Sequence, residues 1–196
     1  MTREDLKKCS NLHNIPSSII VNKNIQLDYR LMKSLTNPEK SIIKYDFDVY
    51  LPSYNIYLQR PYIWEHCQQN EFILSILLEK PIEPVVIVEH TDEGLGEKAI
   101  RYVIDGKQRL MTIQKFLHNE FPINVDREEV FFKDFDDEMK RYFSSRVGSL
   151  TAYVYYSYWD NPVTDDMKII LFNYYNFAGT PQTEEHKNKL QSLLKK

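Results

Sequence analysis

Two short apolar segments, with a helical pattern directly after the second, constrain the fold of this chain more than any other feature. The segments are PVVIVEH (84–90) and AIRYVI (99–104), and both have the length and β-branched content of buried strands. A charged loop separates them, and a helical pattern begins at Gln108, directly after Asp105-Gly106. We expect the two segments to be neighbouring strands of one mixed sheet, with the helix that starts near Gln108 packed on it.

The remaining patterns complete an α+β chain. Apolar alternation predicts a half-buried strand over 45–51 and a further strand over 151–159, and the stretch 52–61 is predicted to be extended and irregular. Helical spacing predicts four more helices, which cover 65–79, 132–147, 164–176 and 183–196. These patterns predict a small mixed sheet, surrounding helices and a helical C-terminal part. We assign 1–44 to an N-terminal arm with peripheral elements and 45–196 to a single domain.

Charge and cysteine content exclude several classes of protein. The formal net charge is -3, which does not favour a basic nucleic-acid binder. Cys9 and Cys67 are too few for a disulfide framework or a cysteine-rich zinc site. The sequence has no apolar run of about 18–20 residues and no signal peptide at its polar start. We expect a cytoplasmic protein with no membrane partner.

Glycine is scarce, and this scarcity points to one candidate site. The chain has 5 glycines, and Gly106 is the one that follows a predicted strand and directly precedes a predicted helix. At such a junction the free N–H groups of the helix favour an anion, and Lys107 and Arg109 can bind phosphate oxygens. Asp105 could hold a magnesium ion or orient a water molecule. The alternative is an ordinary Asp-Gly turn followed by a solvated arginine.

Three stretches of the sequence resemble one known family. LQRPYIW (58–64) is similar to the YQRPYVW signature of the GmrSD-type restriction endonuclease N-terminal domain family. VIDGKQRLMT (103–112) resembles the VIDGQQRLTT signature of that family, and FNYYNFAGTP (172–181) resembles a third family element. The signatures occur in the family order, and the resemblance covers roughly residues 45–185.

The resemblance implies a ParB/sulfiredoxin-like fold and a module linked to nucleotide binding and hydrolysis in a restriction or phage-defence system. It implies that Asp105, as catalytic residue, and Gly106, Gln108 and Arg109 form a nucleotide site. Gln59 and Arg60 would approach that site from the opposite wall. Lys107 departs from the family glutamine and adds a charge suited to phosphate. The expected cofactor is a nucleoside triphosphate of unspecified base, with Mg²⁺.

The same resemblance raises the question of a nuclease. No H-x-N-H cluster occurs in the sequence, so we expect the sensor half alone, with weak NTPase activity at most. Two alternatives stay open, namely a non-catalytic partner or decoy for a nuclease supplied in trans, and a ParB-like DNA-binding protein. The aromatic run 153–159 could stack on bases but contains no Lys or Arg, so nucleic acid is not the favoured partner. His66 and Cys67 are adjacent on a helix and point to different faces, so we expect no protein metal site.

Overall fold

A five-stranded mixed sheet forms the centre of the molecule. The computed structural model describes residues 21–26, 28–91, 99–157, 162–176 and 192, with side chains described from residue 31 onwards. The sheet strands are β1 (Val21–Gln26), β2 (Ile43–Asp46), β5 (Val85–Thr91), β6 (Ala99–Asp105) and β9 (Thr151–Ser157). Their order is β1-β9-β5-β6-β2, with antiparallel β1/β9 and β5/β6 pairs and parallel β9/β5 and β6/β2 pairs. The α+β class with a mixed sheet is therefore confirmed, as is the pairing of the two apolar segments.

Five α-helices and two small hairpins surround this sheet in the part of the chain that the structure describes. The helices are α1 (Asp28–Thr36), α2 (His66–Leu77), α3 (Lys107–Leu117), α4 (Asp137–Gly148) and α5 (Asp165–Asn176). The hairpins pair β3 (Tyr50–Leu51) with β4 (Ile56–Tyr57) and β7 (Ile123–Val125) with β8 (Glu128–Val130). Short 3₁₀ turns occupy Pro38–Lys40 and Phe132–Asp134.

Both faces of the sheet are covered, which explains why its central strands are almost continuously apolar. Along β5, Val85 and Ile87 face a core cluster that includes residues of the helices α1, α2, α3 and α4. Val86 and Val88 face a second cluster, formed with the β3/β4 hairpin and α5. Successive residues of a strand point to opposite faces, so one apolar run serves two cores.

The predicted strand over 45–51 is wrong, because the chain turns in its middle. The Asp46 carboxylate accepts hydrogen bonds from the backbone N–H groups of Asp48 at 3.0 Å and Val49 at 2.9 Å. This Asx-type turn ends β2 at Asp46, and Val49 takes a positive φ of 52°. The alternation of apolar residues continues through the turn because Val49 and Leu51 are both buried in the second core cluster.

Two further predictions require correction. The stretch 52–61, expected to be irregular, contains strand β4 of a short hairpin. The helix predicted over 132–147 is divided into a 3₁₀ turn and α4. Asp136 caps α4 by accepting the N–H of Met139 at 2.7 Å, so the helix cannot begin earlier. The β7/β8 hairpin was not predicted.

The N-terminal part of the described chain packs into the domain. Strand β1 pairs with β9, and Leu31 and Leu35 of α1 are fully buried in the first core cluster. The domain boundary at residue 45 stays a prediction, although these contacts show that the preceding segment contributes to the core. None of the described helices is long and apolar enough to span a membrane. The predicted loop 92–98, residues 158–159, the third family element after 176 and the helix 183–196 lie outside the described residues, apart from residue 192.

Candidate functional site

The candidate site is built on the backbone junction between β6 and α3. Strand β6 ends at Asp105, Gly106 is the N-cap residue with φ +100°, and α3 begins at Lys107. A Cβ added at Gly106 would lie 2.5 Å from Val85 Cγ1. Both the left-handed conformation and the close approach of β5 therefore require glycine here. The predicted strand–glycine–helix junction is confirmed.

The first turn of α3 has no side-chain cap. The N–H of Leu110 donates to Gly106 O at 3.0 Å. Gly106 has no side chain that could accept the N–H groups of the three residues between Gly106 and Leu110. Within the described part of the chain, no acceptor binds the N–H groups of residues 107–109. Uncapped N–H groups together with the helix dipole favour an anion at this end of the helix.

Arg109 is held by the protein rather than left to solvent. Its guanidinium donates to the Asp105 carboxylate at 2.8 Å, to Pro84 O at 3.3 Å and to Glu83 O. Burial lowers the pKa of Arg109 from its ordinary value, although Asp105 and Glu83 act in the opposite direction. Through these three partners, Arg109 links the start of α3 to the segment that leads into β5.

Lys107 and Gln108 are also committed to internal contacts. The buried Lys107 ammonium pairs with the Asp48 carboxylate at 2.5 Å, and Asp48 itself is largely exposed. The Gln108 side-chain carbonyl accepts from the N–H of Ile63 at 2.9 Å, and its amide nitrogen donates to Pro61 O at 3.1 Å. The second signature thus binds the first signature directly.

Two side chains bind the carbonyl groups at the end of β6. Gln59 Nε2 donates to Val103 O and Ile104 O, both at 2.7 Å. Asn176, the last residue of α5, donates to Ile104 O at 3.4 Å. All three family elements therefore meet at the strand end that precedes Gly106.

Arg60 differs from the other cations of the signatures. It follows Gln59, which is bound to the end of β6, and precedes Pro61, which is bound to Gln108. Its backbone is therefore fixed beside the junction at both ends. The side chain is half-buried, and its guanidinium has no hydrogen bond or ion pair to any described residue. Arg60 is the signature cation that remains available to a ligand.

Asp105 does not offer a metal site by itself. Its carboxylate is partly exposed, and one of its oxygens binds Arg109. Protein-held Mg²⁺ needs several oxygen ligands, and no group of three His, Cys, Asp or Glu residues that could hold a metal ion occurs among the described residues. These residues do not fit a resident ion, and we derive no step from one.

Sequence reasoning missed three groups that build the site. Asp48 pairs with Lys107, and the carbonyl groups of Glu83 and Pro84 receive Arg109. Asp48 had a weak signal, since it is an acidic residue in the alternating stretch before the first signature. The two carbonyl groups had none, because any residue carries a backbone carbonyl group.

Comparison with known proteins identifies a family. The family model described as GmrSD restriction endonuclease, N-terminal domain, matches residues 39–195, which is well over half of the chain. No curated protein and no solved structure matches. The matched range contains the three elements that meet at the junction.

Proposed function

This chain belongs to the GmrSD restriction endonuclease N-terminal domain family, and from that premise we propose that it is the nucleotide-binding module of a restriction-related system. Membership confirms the resemblance carried by the signatures and relates the chain to restriction and phage defence. The proposal concerns the ligand, a nucleoside triphosphate, and its phosphate site at the junction. The ParB/sulfiredoxin-like fold implied by the family remains a prediction.

The uncapped start of α3 is the observation that carries the proposal. Gly106 brings the backbone of the junction into a left-handed turn, and the N–H groups of residues 107–109 have no acceptor among the described residues. A phosphate group would satisfy these donors and would interact favourably with the helix dipole. The helix has 11 residues, which is long enough for that dipole to matter.

The internal contacts assign different roles to the signature residues. We propose Arg60 as the cation that binds phosphate oxygens, because its guanidinium has no partner among the described residues and its backbone is fixed at both sides. Lys107, Gln108, Arg109 and Gln59 act as positioning residues, since their side chains hold the junction in shape. Asp105 remains the candidate for orienting a water molecule if the nucleotide is hydrolysed. Any Mg²⁺ would arrive on the nucleotide phosphates.

Nucleotide titration of wild type and Arg60→Ala tests this function. We expect wild type to bind nucleoside triphosphates, each supplied with and without magnesium, and the variant to bind about tenfold to hundredfold more weakly. Arg141→Ala removes the same charge from an exposed position on α4 and is the matched control. At 100 times the dissociation constant, binding should stabilise the fold by about 2.7 kcal/mol in thermal unfolding. No binding by wild type, or equal loss in both variants, would contradict the proposal.

A second function, a non-catalytic partner of a nuclease supplied in trans, has one observation in its favour. The signature side chains Gln59, Lys107, Gln108 and Arg109 are all satisfied within the protein, as expected for a structural brace. Wild type that binds no nucleotide would favour this function. Direct DNA binding is less favoured, because the net charge of the chain is -3.

A further inference from the structure

The β3/β4 hairpin carries a pair of exposed aromatic rings. Tyr50 and Tyr57 are register partners, and their ring centroids lie 5.2 Å apart with 55° between the planes. Tyr50 is 39% exposed and Tyr57 is 62% exposed, whereas Leu51 on the same hairpin is fully buried. The Tyr50 hydroxyl donates to Asn55 at 2.6 Å, which fixes its ring. The hairpin therefore holds an aromatic surface in place without covering it.

Both ends of this hairpin are attached to the phosphate site. The N–H of Gln59 donates to Asp48 O at 3.1 Å and closes the base of the hairpin. From that base, the Asp48 carboxylate binds Lys107 and the Gln59 side chain binds the end of β6. Tyr57 precedes Arg60 by three residues, which limits their Cα separation to about 11 Å. The aromatic surface and Arg60, which has no partner in the described part of the chain, thus lie on one short, anchored segment.

We propose that the Tyr50–Tyr57 pair is the stacking surface for the base of the bound nucleotide. This inference rests on the proposed function, in which the phosphates lie at the start of α3 and beside Arg60. Stacking on an aromatic ring tolerates any base, because every base has a π face. The proposed ligand is therefore a nucleotide with a purine or a pyrimidine base. It should bind more tightly than inorganic polyphosphate, which has no base to stack.

The charges around the hairpin favour a single nucleotide over a nucleic-acid strand. Strand binding requires a positively charged groove that follows the backbone over several nucleotides. Residues 45–59 contain no Lys or Arg, and they include Asp46 and Asp48. One arginine that has no partner among the described residues, three positions from an aromatic pair, matches one nucleotide.

Calorimetric titration of three ligands separates base binding from phosphate binding. The ligands are ATP, UTP and inorganic tripolyphosphate, each titrated into wild type, Tyr57→Ala and Tyr57→Trp. Tyr57→Ala should weaken ATP and UTP binding about fivefold to hundredfold and leave tripolyphosphate binding unchanged. Tyr57→Trp should retain nucleotide affinity. The control is Tyr142→Ala, which removes a tyrosine that is 36% exposed on α4, at the opposite face of the sheet. It should leave the binding of all three ligands unchanged.

The outcomes distinguish this inference from the function on which it rests. If nucleotides and tripolyphosphate bind wild type but Tyr57→Ala changes neither, the stacking surface is wrong and the nucleotide-binding function stands. If none of the three ligands binds wild type, the function itself fails and the inference fails with it. A single-stranded oligonucleotide is titrated as a fourth ligand into wild type and Tyr57→Ala. If it binds wild type more tightly than ATP does, and Tyr57→Ala loses that binding, the inference is overturned in favour of nucleic acid.

Discussion

At the scale of single residues, most polar side chains of the two described family signatures bind other parts of the protein, and few are available to a ligand. Arg109 has three acceptors and is largely buried, which its position in the first turn of a helix did not indicate. An arginine in that state leaves unsatisfied carbonyl groups when it is removed, and such groups cost stability. Arg60 has no such role among the described contacts. We therefore expect substitution of Arg109 to lower the stability of the protein, and substitution of Arg60 to weaken ligand binding.

Gly106→Ala should destabilise the protein by about 2–4 kcal/mol. The new Cβ would require a left-handed conformation at φ +100° and would lie 2.5 Å from Val85 Cγ1. Denaturant unfolding measures the loss. In the background of Val85→Ala the same substitution should cost less, because part of the clash is gone while the backbone strain remains. An equal cost in both backgrounds would show that the contact with Val85 is unimportant.

At the scale of elements, the β3/β4 hairpin is attached to α5 as well as to the junction. The Asp165 carboxylate accepts the N–H of Ser53 at 2.9 Å and binds Lys168 at 3.3 Å, and Tyr54 donates to Asp166. The contacts of Ser53 and Tyr54 join segments that are 112 residues apart in the chain. They hold the hairpin, and with it the tyrosine pair, against the second core.

This attachment should give the stability of the protein a measurable acid dependence. Burial favours the protonated form of Asp165, but Ser53 and Lys168 outweigh it and hold the pKa of Asp165 below its ordinary value of 3.8. A lowered folded-state pKa stabilises the fold above the ordinary value, and the contribution is lost as the pH falls through the folded pKa. From about pH 5 to about pH 2, the unfolding free energy of wild type should therefore fall more than that of Asp165→Asn. Parallel curves for the two proteins would contradict this attribution.

At the scale of the whole molecule, the sheet extends beyond β5, β6 and β9, the three strands that were predicted from the sequence. Strand β1 pairs with β9 at one edge, and β2 pairs with β6 at the other. Helix α1 lies between these two strands in the chain and packs against α4, α3 and β2. The segment before residue 45 thus completes both edges of the sheet and part of the first core.

Removal of that segment should therefore prevent stable folding. Leu31 is fully buried, so Leu31→Ala should cost about 2–5 kcal/mol in denaturant unfolding. Ile42→Ala changes an exposed residue of the same segment and should remain within about 0.5 kcal/mol of wild type.

A fragment of residues 45–196 should show no cooperative unfolding transition. A cooperative transition in that fragment would support the domain boundary predicted from the sequence.

The class of the fold and the location of the candidate site could be predicted from local patterns in the sequence. Local periodicity reports which residues are buried, so the strands β5, β6 and β9 and the helices α2, α3 and α5 were predictable. The Asp-Gly dipeptide between a strand and a helix located the junction. The signatures identified the family without any structural information.

The binding partners of the signature side chains could not be predicted from the sequence and depend on the folded chain. Arg109 binds carbonyl groups about 25 residues away, Lys107 binds a carboxylate 59 residues away, and Gln59 binds the end of β6. Such pairs carry no local pattern, because a backbone carbonyl group has no sequence signal and an acidic residue has many competing partners. The turn at Asp46 was hidden for a related reason. The apolar alternation continues through the turn although Tyr45 and Phe47 pack against the first core cluster and Val49 and Leu51 lie in the second, so the sequence pattern does not mark the change of direction.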